Sequence, residues 1–430
     1  MHKKVPVEEL QPGMYVAELD RPWRETPFMF QGFEIRSRDD IEQLKRYCKH
    51  VYIAVPDTGT ASAPPRRPNP GFVAVTAAED ETKGKKTIRF EERELFTRLQ
   101  SPRFSGGYSD TTSLEEEIAA ISKVHAEARA MIQTIMDDTR LGKGIDTPGA
   151  KRIVAAMTES VLRNPDALTC FTQLKKRDEY TALHSLRVCI LALCFGRHLG
   201  LPASELQLLG IGALLHDIGK MKIPLEVLNK PGELTESEFT VIKTHVPKGV
   251  EILEQNAGIP QAAIQVARCH HERFSGGGYV NGYQGEQIGL FGMIGGIVDC
   301  YDAITSDRAY HAGLSSHMTL KEMYQWRGRE FHAGLVEQFI QCMGIYPIGS
   351  VVALNTGEVG VVITMNRVRR LKPRVALVRK ADGSLYGASR VVDLMSCTTR
   401  EGKPCEIECV LEPGVYGINP TDYLPVRAAS

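Results

Sequence analysis

Histidines and aspartates recur along one region of this chain at positions where their side chains could act together. Two of the positions are adjacent pairs of strong metal ligands. The residues are His184, His216-Asp217, His245, His270-His271 and Asp299. Imidazole nitrogens and carboxylate oxygens are the ligands that iron, manganese, nickel and zinc take from proteins. The sequence therefore indicates a divalent metal site built from nitrogen and oxygen ligands.

A single histidine in a helical region is more often a hydrogen-bonded core or surface residue than a metal ligand. The adjacent pairs change this balance, because each places two strong ligands where apolar packing favours none. His216-Asp217 stands between Leu214-Leu215 and Ile218, in a segment that is otherwise suited to a core. A shared metal site explains these pairs better than independent structural roles.

The segments that carry these residues are predicted to be helical. Ser113 and Glu116 form a capping-box pattern in front of a long helix, and helical patterns continue to about residue 344. Further helices are predicted at 149–162, 180–198, 204–215 and 288–304. The candidate ligands would then project from the faces and ends of several helices toward one place.

Smaller segments flank this helical domain, which we place at 113–344. Residues 1–55 predict a small α+β domain, and residues 56–112 a linker rich in proline and charge. Within residues 345–430, short β-type runs at 351–354, 359–365, 375–379 and 385–392 alternate with Asn-Thr-Gly and Asp-Gly turns. We predict a multidomain protein with a mainly α-helical core, a small α+β N-terminal domain and a small β-rich C-terminal module.

Composition excludes several classes of protein. The chain is 43% hydrophobic and 24% charged, which is typical of a folded globular protein. Its 52 basic and 52 acidic residues leave no net charge, which argues against a nucleic-acid polymer as partner. No apolar stretch approaches the roughly 20 residues that span a bilayer. Ten cysteines without a CxxC pair predict reduced thiols, and we expect a cytoplasmic protein.

The region 178–343 closely resembles the HD-GYP family, a branch of the HD superfamily of metal-dependent phosphohydrolases that degrades cyclic di-GMP. The resemblance rests on ordered blocks of sequence. They are His216-Asp217-Ile218-Gly219-Lys220, Lys230-Pro231-Gly232-Glu233-Leu234-Thr235, His270-His271-Glu272-Arg273, Gly276-Gly277-Gly278-Tyr279, and 299–310 from Asp299 to Tyr310. Residues 1–55 are similar to the poorly characterised domain that often precedes HD-GYP in bacterial proteins. This supports the same domain order.

The resemblance implies an HD-type fold that holds two divalent cations, iron or manganese first, with zinc or nickel as alternatives. It assigns His184, His216, Asp217 and Asp299 to one metal, and His245, His270 and His271 to the second, with Asp217 as the bridge. Two cations about 3.5–4 Å apart can polarise a phosphodiester and lower the pKa of a shared water. The implied reaction is attack of hydroxide on cyclic di-GMP to give linear pGpG, and more slowly GMP.

Further residues are implied as substrate contacts, each with an ordinary structural alternative. Lys220 would neutralise phosphate charge or assist the leaving oxygen, and Arg308 would contact a second phosphate unless it forms a surface salt bridge. Asp178 and Asp302 would contact guanine or orient a metal ligand, with helix capping or solvation as the alternative. Tyr279 would stack on a base or serve only in packing.

This chain departs from the family pattern at two positions. The Gly-Tyr-Pro motif is Gly278-Tyr279-Val280 here, so the proline that stiffens the loop is missing. Relatives with a third metal carry a glutamate four residues before the first histidine ligand, where this chain has Tyr180. We therefore predict two metals and not three.

Two alternatives to cyclic di-GMP hydrolysis stay open. One is a non-catalytic cyclic di-GMP receptor, which Val280 favours, and the other is an HD phosphohydrolase for another cyclic dinucleotide. The predicted partner is a cyclic dinucleotide substrate. A diguanylate cyclase and a second copy of the chain are the protein partners considered.

Overall fold

The computed structural model describes residues 2–20, 33–35, 38–54, 95, 107–174, 180–306, 313–412 and 414–428. The chain divides into two compact units, residues 1–77 and 78–430. The predicted linker at 56–112 lies outside the described residues except for residue 95 and the segment from 107 onward. The domain boundaries that the sequence suggests stay a prediction.

The first unit is a small α+β domain, as the sequence predicts. Its antiparallel sheet has the strand order β1-β4-β2-β3. The strands are β1 (His2–Pro6), β2 (Tyr15–Leu19), β3 (Phe33–Glu34) and β4 (His50–Ala54), and helix α1 is Arg38–Tyr47. Apolar side chains at Ile41 and Leu44 of α1 are buried with Val16 and Val51 of the sheet, which gives this unit its own core.

Twelve helices form the helical core in the described part of the second unit. They are α2 (Leu114–Arg140), α3 (Thr147–Arg163), α4 (Pro165–Thr172), α5 (Tyr180–His198), α6 (Ala203–Leu215), α7 (Leu225–Leu228), α8 (Glu236–Lys243), α9 (His245–Gln255), α10 (Gln261–Cys269), α11 (Leu290–Thr305), α12 (Ser316–Trp326) and α13 (Ala333–Met343). The capping box that starts α2 is present, because Ser113 and Glu116 satisfy each other's backbone N–H groups. The prediction of a mainly helical core is confirmed.

Helix α5 lies at the centre of this core. Its residues from Leu186 to Phe195 are buried on every side, including Ile190 and Leu193, so the helix has no solvent-facing stripe. Gly212 in α6 permits a close approach to α10, because a Cβ there would overlap the carbonyl oxygen of Ala263. This dense packing fixes the helix ends that carry the candidate ligands.

The C-terminal module contains a five-stranded antiparallel sheet with the order β8-β7-β6-β5-β9. The strands are β5 (Val351–Leu354), β6 (Val359–Thr364), β7 (Arg374–Arg379), β8 (Leu385–Asp393) and β9 (Ile407–Leu411). The prediction of a β-rich module is confirmed. The prediction that all thiols are reduced is wrong for one pair, because Cys397 and Cys405 form a disulfide where the chain turns back toward β9. Among the described residues, no helix combines the length and apolar character that crossing a bilayer requires.

Candidate metal centre

The seven predicted metal ligands lie in two neighbouring groups at helix ends and on helix faces of the core. In each group, the potential ligand atoms lie within 4.8 Å of one another. The first group is His184 of α5, His216 at the end of α6 and Asp299 of α11, and the second is Asp217, His245 of α9, and His270 and His271 after α10. Side chains that are far apart in sequence therefore converge on one place.

Asp217 stands between the two groups and presents one carboxylate oxygen to each. Its Oδ2 lies 3.6 Å from Nε2 of His184 and 3.3 Å from Nε2 of His216. Its Oδ1 lies 3.4 Å from Nε2 of His245 and 3.7 Å from Nε2 of His270. A carboxylate in this position is able to serve two cations at once.

Asp299 and His271 complete the two groups from opposite sides. Oδ1 of Asp299 lies 3.0 Å from Nε2 of His184 and 3.8 Å from Nε2 of His216. The ring of His271 lies 4.1 Å from the ring of His270, measured between centroids, and 5.1 Å from that of His245. Each group thus offers several nitrogen or oxygen donors to one small volume.

The backbone orients three of the histidine rings. In each ring Nδ1 donates to the carbonyl oxygen of the residue three positions earlier, which leaves the Nε2 lone pair facing Asp217. The pairs are His216 with Ala213 at 2.8 Å, His245 with Ile242 at 2.7 Å, and His270 with Ala267 at 2.9 Å. His216 and His270 cap the C-terminal ends of α6 and α10, and His245 follows the last turn of α8. Each bond therefore reaches back into a preceding helical turn, and the local fold selects the ligating nitrogen.

The side chain of Asp302 orients the ring of His184. Nδ1 of His184 hydrogen-bonds Oδ2 of Asp302 at 2.7 Å, and Arg187 clamps the same carboxylate through bonds of 2.7 Å and 2.9 Å. Asp302 is only 2% exposed, with both oxygens engaged. Of the roles that the sequence left open for Asp302, this placement favours orientation of a metal ligand over contact with guanine. Arg187, which sequence reasoning missed, lies one turn after His184 in the same helix.

Electrostatics keeps the carboxylates of this buried site ionised. Burial by itself would raise the pKa of Asp217, but Lys220 and His216 outweigh it and hold that pKa well below its usual range. For His216, Asp217 and Asp299 overcome the effect of burial and raise the pKa to about 10. The two carboxylates therefore favour a positive charge at this place, which a metal cation supplies instead of a proton.

In the second ligand group, the histidine pKa values are lowered instead of raised. Burial is the main reason that the pKa of His245 falls to about 3, and it also lowers the pKa of His271. Both rings are therefore neutral near pH 7, which is the form that binds a metal.

Two unsatisfied atoms test whether the site suits a cation. Nε2 of His216 and Oδ1 of Asp217 are buried and have no hydrogen-bond partner. Buried polar atoms in folded proteins are nearly always satisfied, so each such atom calls for an explanation. Both atoms face the ligand groups, and both are metal donors. The residues present therefore fit a metal centre.

The turn after Asp217 explains why a glycine and a lysine follow it. The chain forms a 3-10 turn at Ile218–Lys222, and a Cβ at Gly219 would overlap the carbonyl oxygen of His245. This close approach brings Asp217 and the start of α9 together. In the same turn, Nζ of Lys220 lies 2.5 Å from Oδ2 of Asp217 at the edge of the site.

The loop after the histidine pair covers one side of the second group. The Tyr279 ring stacks on His271 with a centroid distance of 4.6 Å. Glu272 is buried, and its carboxylate accepts from the backbone N–H of Asn281 at 2.8 Å and of Tyr283 at 3.1 Å. Glu272 was not singled out in the sequence, although an acid directly after a histidine pair was a usable signal. Its bonds fix the loop that holds Tyr279 over His271.

Three residues discussed at the sequence level cannot be placed in this geometry. Asp178 and Arg308 lie outside the described residues. Tyr180 begins α5, but its side chain is also outside the description. Their roles stay predictions.

Comparison with protein-family models gives three matches along the chain. Residues 2–150 match a domain of unknown function (DUF3391), and residues 166–333 match the HD domain. Residues 351–400 match a KOW domain associated with the HD domain. The matched HD domain contains all seven candidate ligands.

Comparison with curated proteins gives one similarity that covers nearly the whole chain. The chain is 34% identical to "Cyclic di-GMP phosphodiesterase PA4108" of Pseudomonas aeruginosa, over 92% of this chain and 89% of that protein. It is 36% identical to "Cyclic di-GMP phosphodiesterase response regulator RpfG" of Xanthomonas campestris, over 44% of this chain and 51% of that protein. It is 34% identical to "3'3'-cGAMP-specific phosphodiesterase 2" of Vibrio cholerae, over 39% of this chain and 32% of that protein.

Proposed function

This chain belongs to the HD-GYP branch of the HD-domain metal-dependent phosphodiesterases, and we propose that it hydrolyses cyclic di-GMP to linear pGpG at a two-metal centre. The near full-length relative is named for cyclic di-GMP, and its similarity extends through the flanking domains. Further cleavage to GMP would be slower than the first step.

The position of Asp217 is the observation that carries the two-metal proposal. Its two oxygens face two different histidine groups at distances between 3.3 and 3.7 Å. A one-metal site would need only one of these groups. The buried, unpaired Nε2 of His216 and Oδ1 of Asp217 support the same reading.

We assign His184, His216, Asp217 and Asp299 to one metal, and His245, His270 and His271 with Asp217 to the other. Iron and manganese suit this nitrogen and oxygen donor set, and zinc and nickel are alternatives. When bound, such cations stabilise charge on the phosphodiester and lower the pKa of water. Asp302 holds the His184 ring in its ligating orientation through the bond at Nδ1.

Lys220 is the proposed catalytic residue besides the ligand Asp217. Its ammonium lies at the rim of the ligand groups, where it neutralises phosphate charge or assists the leaving oxygen. Tyr279 is held over His271 and borders the same space, so we propose that it limits how a base enters. Asp178 and Arg308 stay proposed substrate contacts, and the role of Asp302 as a contact is the less favoured one.

The test is turnover of cyclic di-GMP by the full-length protein loaded separately with ferrous iron, manganese or zinc. Products are separated by chromatography, and Asp217→Asn serves as the metal-deficient control. We expect metal-dependent formation of pGpG by the wild-type protein only. Tight binding of cyclic di-GMP without turnover under any metal would instead support the receptor alternative.

A second substrate has a specific observation in its favour. The relative that is named a 3'3'-cGAMP-specific phosphodiesterase is as similar in sequence as the Pseudomonas protein, although over a shorter range. Metal ligands fix the chemistry and not the base. The same assay with 3'3'-cGAMP measures the ratio of kcat/KM for the two substrates, and a ratio below one for cyclic di-GMP would reassign the substrate.

A further inference from the structure

A cavity of about 240 Å³ lies where the helical core meets the C-terminal module. Its walls come from the start of α4, the last turns of α5, the end of α13 and the segment that joins β6 to β7. At 1.5 Å per residue, the stretch of α5 from His184 to Arg197 is roughly 20 Å long. The cavity is therefore separate from the metal centre, although one helix reaches both.

Positive charge is in excess around this cavity. Arg197, Arg367, Arg370 and Asp166 line it. A further carboxylate, Asp110, accepts from Arg197 at 2.8 Å and from Arg367 at 2.9 Å. Three guanidinium groups thus meet two carboxylates, and one positive charge is left without a counterpart.

Arg197 has an unsatisfied donor at this place. Its side chain is only 4% exposed. One terminal nitrogen donates to Asp110 and to the carbonyl oxygen of Leu162 at 3.3 Å. Its Nε, however, is buried without a hydrogen-bond partner. A buried charged donor without an acceptor costs free energy, so the bonds to Asp110 and Leu162 do not fully satisfy Arg197.

Arg370 supplies the unbalanced charge. It donates to the side-chain oxygen of Gln341 at 2.5 Å, and among the described residues it has no carboxylate in ion-pair contact. Burial, and then the positive charge of the three arginines, lower the pKa of the neighbouring His198 to about 4. The ring of His198 is therefore neutral near pH 7, and its Nε2 is engaged with Gln338 at 2.9 Å.

We propose that this cavity binds a small phosphate monoester through Arg197, Arg367 and Arg370. Guanidinium groups present paired N–H donors that match phosphate oxygens, and a dianion would offset the excess charge. The cavity volume is below the roughly 300–1,000 Å³ that is usual for drug-sized ligands, which favours a small ester. Met343 and Met365 add apolar wall that suits the organic part of such an ester.

The alternative is an ion-pair network that only joins the core to the module. That alternative explains Arg367, which bonds Asp110 and also Asp166 at 2.5 Å. It does not explain why Arg370 has no carboxylate in ion-pair contact among the described residues. A bound monoester would balance the charge of Arg370.

The test is calorimetric titration of the full-length, metal-loaded protein with inorganic phosphate, ribose 5-phosphate and GMP. Arg370→Gln removes a lining charge, whereas Arg369→Gln removes the same charge from an exposed neighbour that does not line the cavity. We expect Arg370→Gln to weaken binding of the monoester at least tenfold, as the loss of a charge-assisted hydrogen bond predicts, and Arg369→Gln to change it less than twofold.

Phosphate at the metal centre is distinguished by repeating the titrations in Asp217→Asn, where binding to this cavity is expected to persist. Arg197→Lys, which keeps the charge but removes the forked guanidinium, gives a second variant and is also expected to weaken binding. The proposal is overturned if Arg370→Gln and Arg197→Lys both bind like the wild-type protein, or if all binding is lost in Asp217→Asn. Binding of inorganic phosphate without either ester would overturn the monoester assignment.

Discussion

Asp217 is the residue at which the two ligand groups meet. Its replacement should therefore affect both metals, whereas replacement of a ligand from one group should affect only one metal. Asp217→Ala removes an oxygen from both groups, whereas His245→Ala removes a donor from the second group only. We expect Asp217→Ala to lose both metals and to reduce kcat by more than the roughly 10–100-fold that loss of an outer partner costs. His245→Ala should keep close to one metal per chain.

Metal content by mass spectrometry and kcat on cyclic di-GMP check both variants. Circular dichroism provides the control for folding, since His245 is buried in the core. Two metals and wild-type kcat in Asp217→Ala would contradict the bridging assignment.

The residue type at position 180 bears on how many metals the chain binds, and here it is Tyr180. A phenol with its ordinary pKa of about 10 is neutral near pH 7 and is a poor ligand, so we expect two metals per chain and accumulation of pGpG before GMP. Tyr180→Glu places a carboxylate one turn before His184 and should raise the metal content toward three. Three metals in the wild-type protein, or GMP without transient pGpG, would contradict this prediction.

At the level of single residues, local sequence patterns predicted candidate ligands, but contacts between residues distant in sequence could not be predicted. The adjacent pairs at 216–217 and 270–271 marked the site because strong ligands are rare in apolar segments. The bond from His184 to Asp302 joins residues 118 positions apart, and no local pattern encodes it. The disulfide between Cys397 and Cys405 was also missed, because its half-cystines lack a motif spacing.

The elements were predictable where their ends carry local signals. Ser113 and Glu116 mark the start of α2, and the observed β5 and β6 nearly match the predicted runs because turn residues bound them. Strand β9 was not predicted, since its burial comes from pairing with β5 and not from its own short sequence. Tertiary contact therefore decides what local propensity leaves open.

Gly219 is the point at which two elements must approach to form the site. Gly219→Ala should push the 3-10 turn at Ile218–Lys222 away from α9, because the added Cβ overlaps backbone atoms that cannot rotate aside. We expect a loss of stability of about 1–3 kcal/mol, the usual cost of overpacking, together with weaker metal binding. Chemical denaturation and metal titration measure the two effects.

Gly387→Ala in β8 is the matched control, because a Cβ there meets no atom within 4 Å. It should change neither metal affinity nor stability by a comparable amount. Equal behaviour of the two alanine variants would show that the close approach at Gly219 is not what positions Asp217.

At the scale of the whole molecule, a half-buried histidine outside the two ligand groups couples stability to pH. His125 of α2 stacks on Phe171 of α4 with a centroid distance of 4.3 Å. Burial first, and then the charge of Arg129, lower its pKa from 6.5 to about 4. The folded chain therefore keeps this ring neutral at a pH where the unfolded chain protonates it.

The sign of the effect follows from that difference. Between pH 6.5 and about 4, the unfolded state takes up a proton at His125 that the folded state does not, so the free energy of unfolding falls as the pH falls. The slope contributed by one such group is at most about 1.4 kcal/mol per pH unit, and the whole window contributes up to about 3 kcal/mol. Above pH 6.5 the contribution to stability is complete.

His125→Phe keeps an aromatic ring against Phe171 but cannot bind a proton. We therefore expect its denaturation midpoints to fall less steeply than those of the wild-type protein between pH 6.5 and 5, while curves of equal slope would mean that the fold does not keep His125 neutral in this range.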